Sequence, residues 1–532
     1  MPPAENDAWI RSVVCELAPP SLEDNTADAD RLIKYLKKTL QVKDILIEPG
    51  VLSSLPWVLR EDGYRIRATM FDDGNSWRII NVASPEVPSP CGVAVDLGSS
   101  TIVVRFVDIE KGAVIDERSF QNPQVQIGGD ILTRIHYAAG DGGLKHLQDA
   151  VVSALNGVFN RMTADLGMES NLPAGVVIAG NTTMTHLFMG LEPRWLCREP
   201  YTPVVNIPPL MRARDLGLAV HPAAPVILAP NAGSYFGGDV IAGILSSGMV
   251  ETHETSILVD VGTNAEVAIG NKDWLLGCAG AAGPALEGGV AEIGVMAALG
   301  AIDRIRINPD NGRISFHTIG DAPPVGFCGS GLIDLAAQLF TAGMIDARAR
   351  IVPAACGQRV RELDGARGLV IVEAEASGTG RELVIEQADL DRLLRSKAAM
   401  HAILTTVVNT VGIKFKDIST FWIAGTFGSY INPESAVTIG MLPDLPRERY
   451  RSIGNTSLEG AAKALISRKN LESLRKIHDR VTYIELNVNQ QFMELFSAAR
   501  FIPHTDSSLF PSIKRNSSED AFPIRKDAVI HG

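Results

Sequence analysis

The sequence predicts an α/β fold in which a small N-terminal α/β domain precedes a larger domain made of two related halves. Strand-like apolar runs alternate with amphipathic helical runs from about residue 91 to residue 503, the pattern of a layered α/β fold. Short segments of similar sequence recur in the same order along these residues. Hydrophobic residues make up 46% of the 532-residue chain, enough for a large core. The expected divisions are 1–89 for the small domain, 90–239 and 240–504 for the two lobes, and 505–532 for a loose polar tail.

The first 90 residues carry signals for one helix, three strands and a boundary. Asn25 is the expected N-cap of a helix with apolar positions on the 3.6-residue period. A short strand at 44–48 and a Pro-Gly break follow, and then two strand-like runs, 64–70 and 77–82, flank a turn. Residues 83–90 contain three prolines, which exclude a helix interior or a central strand and mark the boundary.

The lobes begin after this boundary, and they contain matched segments. A long helix is predicted at 144–166, where apolar residues repeat on the helical period and Gly167 follows. Because a strand hairpin followed by a strand and a helix occurs twice in the same order, we expect two related halves with a ligand site between them. The matched pairs are 94–100 with 258–264, 176–182 with 421–427, and 127–131 with 236–240.

Charge and cysteine content exclude several classes of protein. Asp and Glu outnumber Lys and Arg by 61 to 49, a net charge of −12, and there are no basic runs, which argues against a nucleic-acid surface. The six cysteines lie at least 28 residues apart, so the usual zinc and iron–sulfur spacings are missing. The chain has no uncharged apolar stretch of about 18 residues and no signal-peptide pattern at its start. We therefore expect a cytoplasmic protein that binds neither nucleic acid nor membrane.

The first matched pair has the pattern Asp-x-Gly-[Ser/Thr]-[Ser/Asn] between two strands, which suits phosphate binding. Glycine permits a sharp turn and a close approach of the backbone, and successive N–H groups there form an anion-binding concavity. Nearby hydroxyls can donate to phosphate oxygens, and a carboxylate ending the first strand can hold Mg²⁺. An ordinary hairpin turn is the alternative. The first loop comprises Asp96, Gly98, Ser99, Ser100 and Thr101, the second comprises Asp260, Gly262, Thr263 and Asn264, and the expected metal ligands are Asp96 and Asp260.

Other glycine segments and three carboxylates complete the predicted site. Glycines that end a strand and open a helix allow a nucleotide to lie against bare backbone, although a plain turn with a cap explains them as well. Asp130 and Asp239 each follow Gly-Gly and precede a helical run, so each is either an N-cap or a carboxylate that orients water or metal. Glu266 is a third acidic residue of the same type. The glycine segments are Gly329-Ser330-Gly331 and Gly425-Thr426-Phe427-Gly428.

These motifs resemble the two phosphate motifs and the adenosine motif of the superfamily of acetate and sugar kinases, heat-shock chaperones and actin. More narrowly, seven strings resemble the ATP-dependent reductive activators of corrinoid proteins, over about residues 16–503. They are LAPPSLEDN (17–25), VAVDLGSSTIVV (93–104), NPQVQIGGDILTRI (122–135), AGNTTMTHLFMG (179–190), GAAGPALEGG (280–289), GFCGSGLID (326–334) and AGTFGSYINP (424–433).

The resemblance implies a two-lobed, actin-like ATPase domain of the duplicated ribonuclease-H-like type, with ATP and Mg²⁺ as cofactors. Members of that family return the cobalt of a corrinoid methyltransferase protein from Co(II) to Co(I), an uphill electron transfer that involves ATP. By motif, the loops that begin at Asp96 and Asp260 bind phosphate, while Gly425, Thr426 and Gly428 meet the adenosine. The implied partner is a corrinoid protein of a methyltransferase system.

The chain departs from the family in its cysteines, because familiar members carry an iron–sulfur domain with clustered cysteines. We therefore expect no iron–sulfur cluster and a separate electron donor, either a ferredoxin or a flavoprotein, and a homodimer is left open. Two other functions fit the same motifs. One is a metabolite kinase with Asp130 or Asp239 as base, and the other is a nucleotide-gated reactivating chaperone without a redox role.

Overall fold

The N-terminal residues form a four-stranded sheet covered by two helices. A computed structural model describes residues 7–168, 172–262, 264–281, 293–308, 311–363, 366–486 and 490–513. The strand order in this sheet is β1-β3-β4-β2, and apolar side chains of both helices pack against it. The elements are β1 (Ile10–Glu16), α1 (Asp28–Leu40), β2 (Ile45–Ile47), α2 (Pro49–Glu61), β3 (Arg65–Asp72) and β4 (Trp77–Ala83).

Two local predictions in this region are wrong. Helix α1 begins at Asp28 after Ala27, which makes no side-chain cap, so Asn25 is not its N-cap. The Pro-Gly pair at Pro49 is not a break but the first turn of α2. Proline is well suited to that position because its fixed φ matches the helix and its missing N–H is not needed there.

The next part of the chain forms a six-stranded sheet among the described residues, in the order β7-β6-β5-β8-β10-β9. Helix α4 packs along it through Leu147, Val151 and Leu155, all fully buried, and its bounds confirm the helix predicted at 144–166. The elements are β5 (Cys91–Leu97), β6 (Thr101–Asp108), β7 (Val114–Gln121), α3 (Ile131–Ala138), α4 (Gly143–Asp165), β8 (Val176–Gly180), α5 (Thr182–Met189), β9 (Met211–Arg212), α6 (Ala213–Leu216), β10 (Pro225–Leu228) and α7 (Gly238–Ser247).

The remaining described residues form a second six-stranded sheet, in the order β21-β20-β11-β12-β13-β22, and two three-stranded sheets, β15-β14-β16 and β17-β18-β19. The elements are β11 (Ser256–Val261), β12 (Asn264–Gly270), β13 (Leu275–Ala281), β14 (Ala301–Ile307), β15 (Ile314–Thr318), β16 (Gly326–Phe327), α8 (Gly329–Thr341), α9 (Pro353–Cys356), β17 (Val360–Leu363), β18 (Ala366–Val372), β19 (Leu383–Glu386), α10 (Gln387–Thr410), β20 (Thr420–Ala424), α11 (Gly425–Tyr430), α12 (Pro433–Thr438), β21 (Tyr450–Gly454), α13 (Thr456–Ile466), α14 (Arg468–Arg480), β22 (Val481–Glu485) and α15 (Gln490–Ala498).

The two large sheets repeat one topology. In the first, β5, β6 and β7 form an antiparallel meander, and β8 lies parallel to β5 on its other side. In the second sheet, β11, β12 and β13 lie side by side in chain order, as β5, β6 and β7 do in the first, and β20 lies parallel to β11. The matched sequence segments therefore occupy equivalent strands, which confirms the predicted fold of two related halves.

By contacts, the chain divides into two compact units. Helices α7 and α13 pack closely within the first unit, where a Cβ built on Gly460 would lie 2.1 Å from the carbonyl oxygen of Ala242. Residues 455–483 were expected in the second lobe but belong to the first unit by contact. The units are Met1–Glu254, Gly270–Gly277 and Asn455–Tyr483 for the first, and Thr255–Ile269, Cys278–Gly454 and Ile484–Gly532 for the second.

None of the helices in the described ranges has the length and apolar composition that crossing a bilayer requires.

The segment after α15 is packed as far as the structure describes it. Phe510 is 2% exposed, and its ring contacts those of His401 and His504. Lys397 of α10 donates hydrogen bonds of 2.6 Å to the carbonyl oxygens of Phe501 and Pro503. The start of the expected loose tail, residues 505–513, is thus held against α10, and residues 514–532 lie outside the described residues.

Candidate functional site

The first Asp-x-Gly loop places a carboxylate at the end of a buried strand. Asp96 lies in β5, and its two carboxylate oxygens accept hydrogen bonds of 2.8 Å from Nδ2 of Asn455 and Oγ of Ser457. Burial raises the pKa of Asp96, and the two hydrogen bonds offset only part of that effect. Both donors are neutral, and no cationic side chain of the described residues forms an ion pair with Asp96.

Asn455 serves the site in two ways that motif reading missed. Its Oδ1 accepts a hydrogen bond from the backbone N–H of Leu458 and so caps α13, while its Nδ2 points at Asp96. The N-terminus of a helix carries partial positive charge, so α13 also favours a carboxylate there. Asn followed by Thr-Ser and an apolar run is an N-cap signal, but its contact with Asp96, which lies 359 residues earlier, requires the tertiary fold.

The loop after Asp96 is held in one conformation by its own turn and by Asn122. A Cβ built on Gly98 would lie 2.3 Å from the carbonyl oxygen of Thr101, so only glycine fits this turn. Asn122 is fully buried, and its backbone N–H and its Nδ2 donate 2.9 Å hydrogen bonds to the carbonyl oxygens of Ser100 and Gly98. Ser99 and Ser100 remain partly exposed and Thr101 is exposed, so their hydroxyls are accessible to a ligand.

The second unit has an equivalent arrangement. Asp260 is in β11 and pairs in register with Ala424, the last residue of β20. The turn after it closes through a 2.8 Å hydrogen bond from the N–H of Gly262 to the carbonyl oxygen of Asn264, whose side chain is exposed. Thr263 lies outside the described residues. A Cβ on Gly425, which has φ +79°, would lie 2.6 Å from Oδ1 of Asp260, so glycine is needed beside this carboxylate.

The glycine that follows in α11 is explained by packing. A Cβ on Gly428 would lie 2.8 Å from the carbonyl oxygen of Ile423, and the carbonyl oxygen of Gly428 accepts a 2.7 Å hydrogen bond from Ser452. The side chain of Thr426 lies outside the described residues. Bare backbone at this strand end is compatible with a nucleotide, and the contact of these residues with adenosine stays a prediction.

Gly329, Ser330 and Gly331 form the buried first turn of α8. A Cβ on Gly331 would lie 2.0 Å from the carbonyl oxygen of Ile302, so this glycine lets α8 pack directly on β14. The close packing accounts for Gly331 without a ligand, and a contact between this segment and a nucleotide stays a prediction.

The same helix carries a buried carboxylate, Asp334, to which the sequence had given no role. It accepts hydrogen bonds from the N–H of Ile305 at 2.7 Å and from Oγ of Ser435 at 2.5 Å. Asp334 therefore ties α8 both to β14 and to α12, the helix that follows the Gly425 segment.

The three acidic candidates have different surroundings. Asp130 is exposed and caps α3, accepting hydrogen bonds from the N–H and hydroxyl of Thr133, which lower its pKa. Asp239 is not an N-cap, because the N-cap of α7 is Gly237. Gly237 also packs closely on another element, since a Cβ built on it would lie 2.3 Å from Cα of Asn181. Since β8 lies parallel to β5, Asn181 and the turn at Gly237 lie toward the end of the sheet that carries Asp96. A role in catalysis for Asp239 or Asp130 stays a prediction.

Glu266 is on β12 and is partly buried. Burial, together with the charges of Glu266 and Glu485, raises the pKa of the Cys278 thiol. Cys278 and Cys328 are buried free cysteines. His186 is also buried: its Nδ1 donates to the carbonyl oxygen of Thr182 and its Nε2 accepts from the N–H of Val204, as expected for a packing residue.

The donor set fits Mg²⁺ and phosphate. Mg²⁺ in nucleotide sites uses one or two carboxylates, waters and phosphate oxygens. Asp96 and Asp260 end equivalent strands in the two repeats, and each precedes a tight glycine turn with hydroxyl or amide side chains. Each carboxylate has the chemistry to hold the ion, which would neutralise phosphate charge when bound, and their role as metal ligands stays a prediction.

Gly425→Ala tests the close approach of backbone and carboxylate. The added Cβ would push against Asp260, and φ +79° adds strain of about 1–2 kcal/mol. We expect ATPase activity to fall about tenfold, the scale for disturbing a metal-orienting contact. Gly412→Ala is the matched control, because Gly412 has φ +70° and no atom within 4 Å of its added Cβ. Equal activity losses in the two variants, measured at matched folded fraction, would contradict the assignment.

Models of one protein family match successive parts of the chain. Three models match: the RACo linker region at residues 3–87, the RACo middle region at 91–252, and the C-terminal domain of RACo, the ASKHA domain, at 254–514. The ASKHA name denotes the superfamily of acetate and sugar kinases, heat-shock proteins and actin. Together the matches extend over nearly all described residues.

Individual relatives agree with these matches. The corrinoid activation enzyme RamQ of Eubacterium limosum is 31% identical over 481 residues, covering 88% of this chain and 79% of that protein. The [Co(II) methylated amine-specific corrinoid protein] reductase of Methanosarcina barkeri is 24% identical, covering 74% of this chain and 73% of that protein. A solved structure, the reductive activator for corrinoid, iron–sulfur protein, is 37% identical with a TM-score of 0.88, covering 96% of this chain and 81% of that chain. This chain therefore belongs to the RACo family.

Proposed function

We propose that this protein is a slow ATPase that activates a corrinoid methyltransferase protein by assisting the return of its cobalt from Co(II) to Co(I). The observation that carries the proposal is similarity along most of the chain to proteins named as corrinoid activators, including 37% identity at a TM-score of 0.88. The duplicated Asp-x-Gly hairpins, each with a carboxylate in its first strand, support the ATPase part.

The nucleotide chemistry is assigned to the residues of the two hairpins. Water attacks the γ-phosphorus, the bond to the β–γ bridging oxygen breaks, and ADP and phosphate leave. Ser99, Ser100 and Thr101 donate hydrogen bonds to phosphate oxygens, and Asp96 and Asp260 orient the Mg²⁺ that accompanies ATP. We assign Asp239 to the orientation of water, because it follows Gly237, which packs against Asn181 at the end of β8, whereas Asp130 is an exposed cap.

The redox step is a one-electron reduction, in which Co(II) takes one electron and becomes Co(I). We assign that electron to a separate donor, a reduced ferredoxin or flavoprotein, because the six cysteines of this chain are at least 28 residues apart. ATP turnover biases the complex toward the state that accepts the electron, which requires that the nucleotide has different affinities for the two states.

The test uses the purified protein with a corrinoid methyltransferase protein in its Co(II) state and Ti(III) citrate as reductant. We expect the absorbance change of Co(I) formation with Mg²⁺ and ATP, and none with ADP or without this protein. Co(I) formation with a non-hydrolysable ATP analogue would show that binding alone suffices and would overturn the hydrolysis step.

A panel of sugars and small acids separates the activator from a kinase. We expect their addition to leave ATP turnover unchanged. If ATP turnover rises sharply with one metabolite and the corrinoid protein neither binds nor changes its oxidation state, the chain is a kinase and the proposal is wrong.

A further inference from the structure

A buried arginine, Arg134, lies close to the first phosphate loop without an ion pair to any described residue within 4.0 Å. Arg134 of α3 has no solvent exposure. Its Nε donates a 2.8 Å hydrogen bond to the carbonyl oxygen of Gly128, and its Nη1 lies 3.5 Å from Oε1 of Gln124. Its Nη2 has no partner among the described residues, and no carboxylate of those residues lies within 4.0 Å of the guanidinium. The exposed carboxylate of Asp130, the N-cap of the same helix, interacts with the guanidinium electrostatically from beyond ion-pair distance.

Such an arrangement is costly for the fold. A buried charge normally has an ion-pair partner, because desolvation strongly disfavours the charged form. Burial lowers the pKa of Arg134 to about 10, so the guanidinium still carries its charge at neutral pH. An apolar side chain of similar length would fill the same space at lower cost, so packing alone does not explain an arginine there.

Hydrogen bonds connect the guanidinium to the loop. Gln124 accepts from Arg134 and donates its backbone N–H to Oδ1 of Asn122 at 2.9 Å. Asn122 in turn donates to the carbonyl oxygens of Gly98 and Ser100. All three side chains, Asn122, Gln124 and Arg134, are fully buried and come from the string NPQVQIGGDILTRI, in which only Asp130 had been given a role. The positive charge is thus linked to the loop by two intervening side chains.

We propose that Arg134 is a positioning residue for the phosphate groups of the nucleotide, fixing the loop through Gln124 and Asn122 and supplying the positive field that favours a polyanion beside it. The proposal rests on the proposed function, since it concerns the same ATP site. A charge in low dielectric is weakly screened, so it acts on phosphate groups that it does not touch.

Arg134→Met separates this role from a structural one. Methionine keeps the length of the side chain and removes the charge, so we expect a melting temperature equal to or above that of the wild type. We expect the Kd for MgATP to rise about tenfold, the Kd for MgADP to rise less, and that for adenosine to stay unchanged, because the field acts on ligand charge. Arg118→Met is the control for net charge, because Arg118 is on β7 in exposed ion pairs with Asp116 and Asp165.

Calorimetric titration of both variants with ATP, ADP, adenosine and inorganic tripolyphosphate decides the question. A graded loss that follows ligand charge, and that is absent in Arg118→Met, is the expected result. Equal losses for ATP and adenosine, or unchanged ATP affinity in a folded Arg134→Met protein, would overturn the role of Arg134. If the wild type binds neither ATP nor tripolyphosphate, the proposed function itself fails.

Discussion

Asp96→Asn is expected to lower the ATPase rate by about 10- to 100-fold, the scale found when a group that orients a metal is removed. The same change is expected to leave the melting temperature unchanged or higher. Burial raises the pKa of Asp96, so its charged form is a cost to the folded state. A neutral amide of the same shape removes that cost and keeps an oxygen to accept from Asn455 or Ser457.

The measurement pairs steady-state phosphate release with thermal unfolding, and Asp149→Asn is the control because Asp149 is an exposed carboxylate on α4. Since protonation of Asp96 competes with Mg²⁺, the concentration of Mg²⁺ needed for half-maximal activity should rise as the pH falls. Normal activity in a folded Asp96→Asn protein would show that Asp96 is not a metal-orienting residue.

Mild acid is expected to destabilise the protein through His401. The imidazole is 4% exposed, its Nδ1 has no hydrogen-bond partner among the described residues, and burial first, then Lys397 and His504, lowers its pKa to about 3. In the unfolded chain the same group takes up a proton near pH 6.5. The contribution of neutral His401 to the free energy of unfolding is therefore fully present above about pH 6.5. It is lost, by about 1.4 kcal/mol per pH unit, as the pH falls toward 3.

Urea unfolding at about pH 7 and about pH 5 checks this expectation, and the loss in the wild type should include roughly 2 kcal/mol from His401. His401→Met should remove that part of the loss, because no proton uptake remains at that position, while His186, His221 and His504, whose pKa values burial also lowers, keep their contributions. His253→Gln is the control, since His253 is exposed beside Asp273, and it should leave the loss unchanged. An identical pH dependence in His401→Met and the wild type would assign the acid sensitivity to other groups.

Much of the fold could be predicted because it follows from local periodicity and repetition. Helix α4 was predicted within one residue at each end, since its apolar residues recur on the helical period over six turns. The hairpins at Asp96 and Asp260 were found because a tight turn between strands needs glycine at a fixed place. Pro49 was misinterpreted because Pro-Gly ends some elements and begins others, and only the packing of α2 distinguishes these cases.

Some features of the candidate site likewise follow from the local sequence, whereas others depend on the tertiary structure. The sequence by itself determined the duplicated strand–turn–strand units, the carboxylate in the first strand of each and the glycines of the turns, because those features depend on neighbours in the chain. Tertiary structure alone decided that Asn455 and Ser457 hold Asp96, that Gly237 packs against Asn181 at the end of β8, and that Arg134 is buried. These contacts join residues from separate elements, and burial and hydrogen bonding between such residues arise only when the sheets and helices pack together.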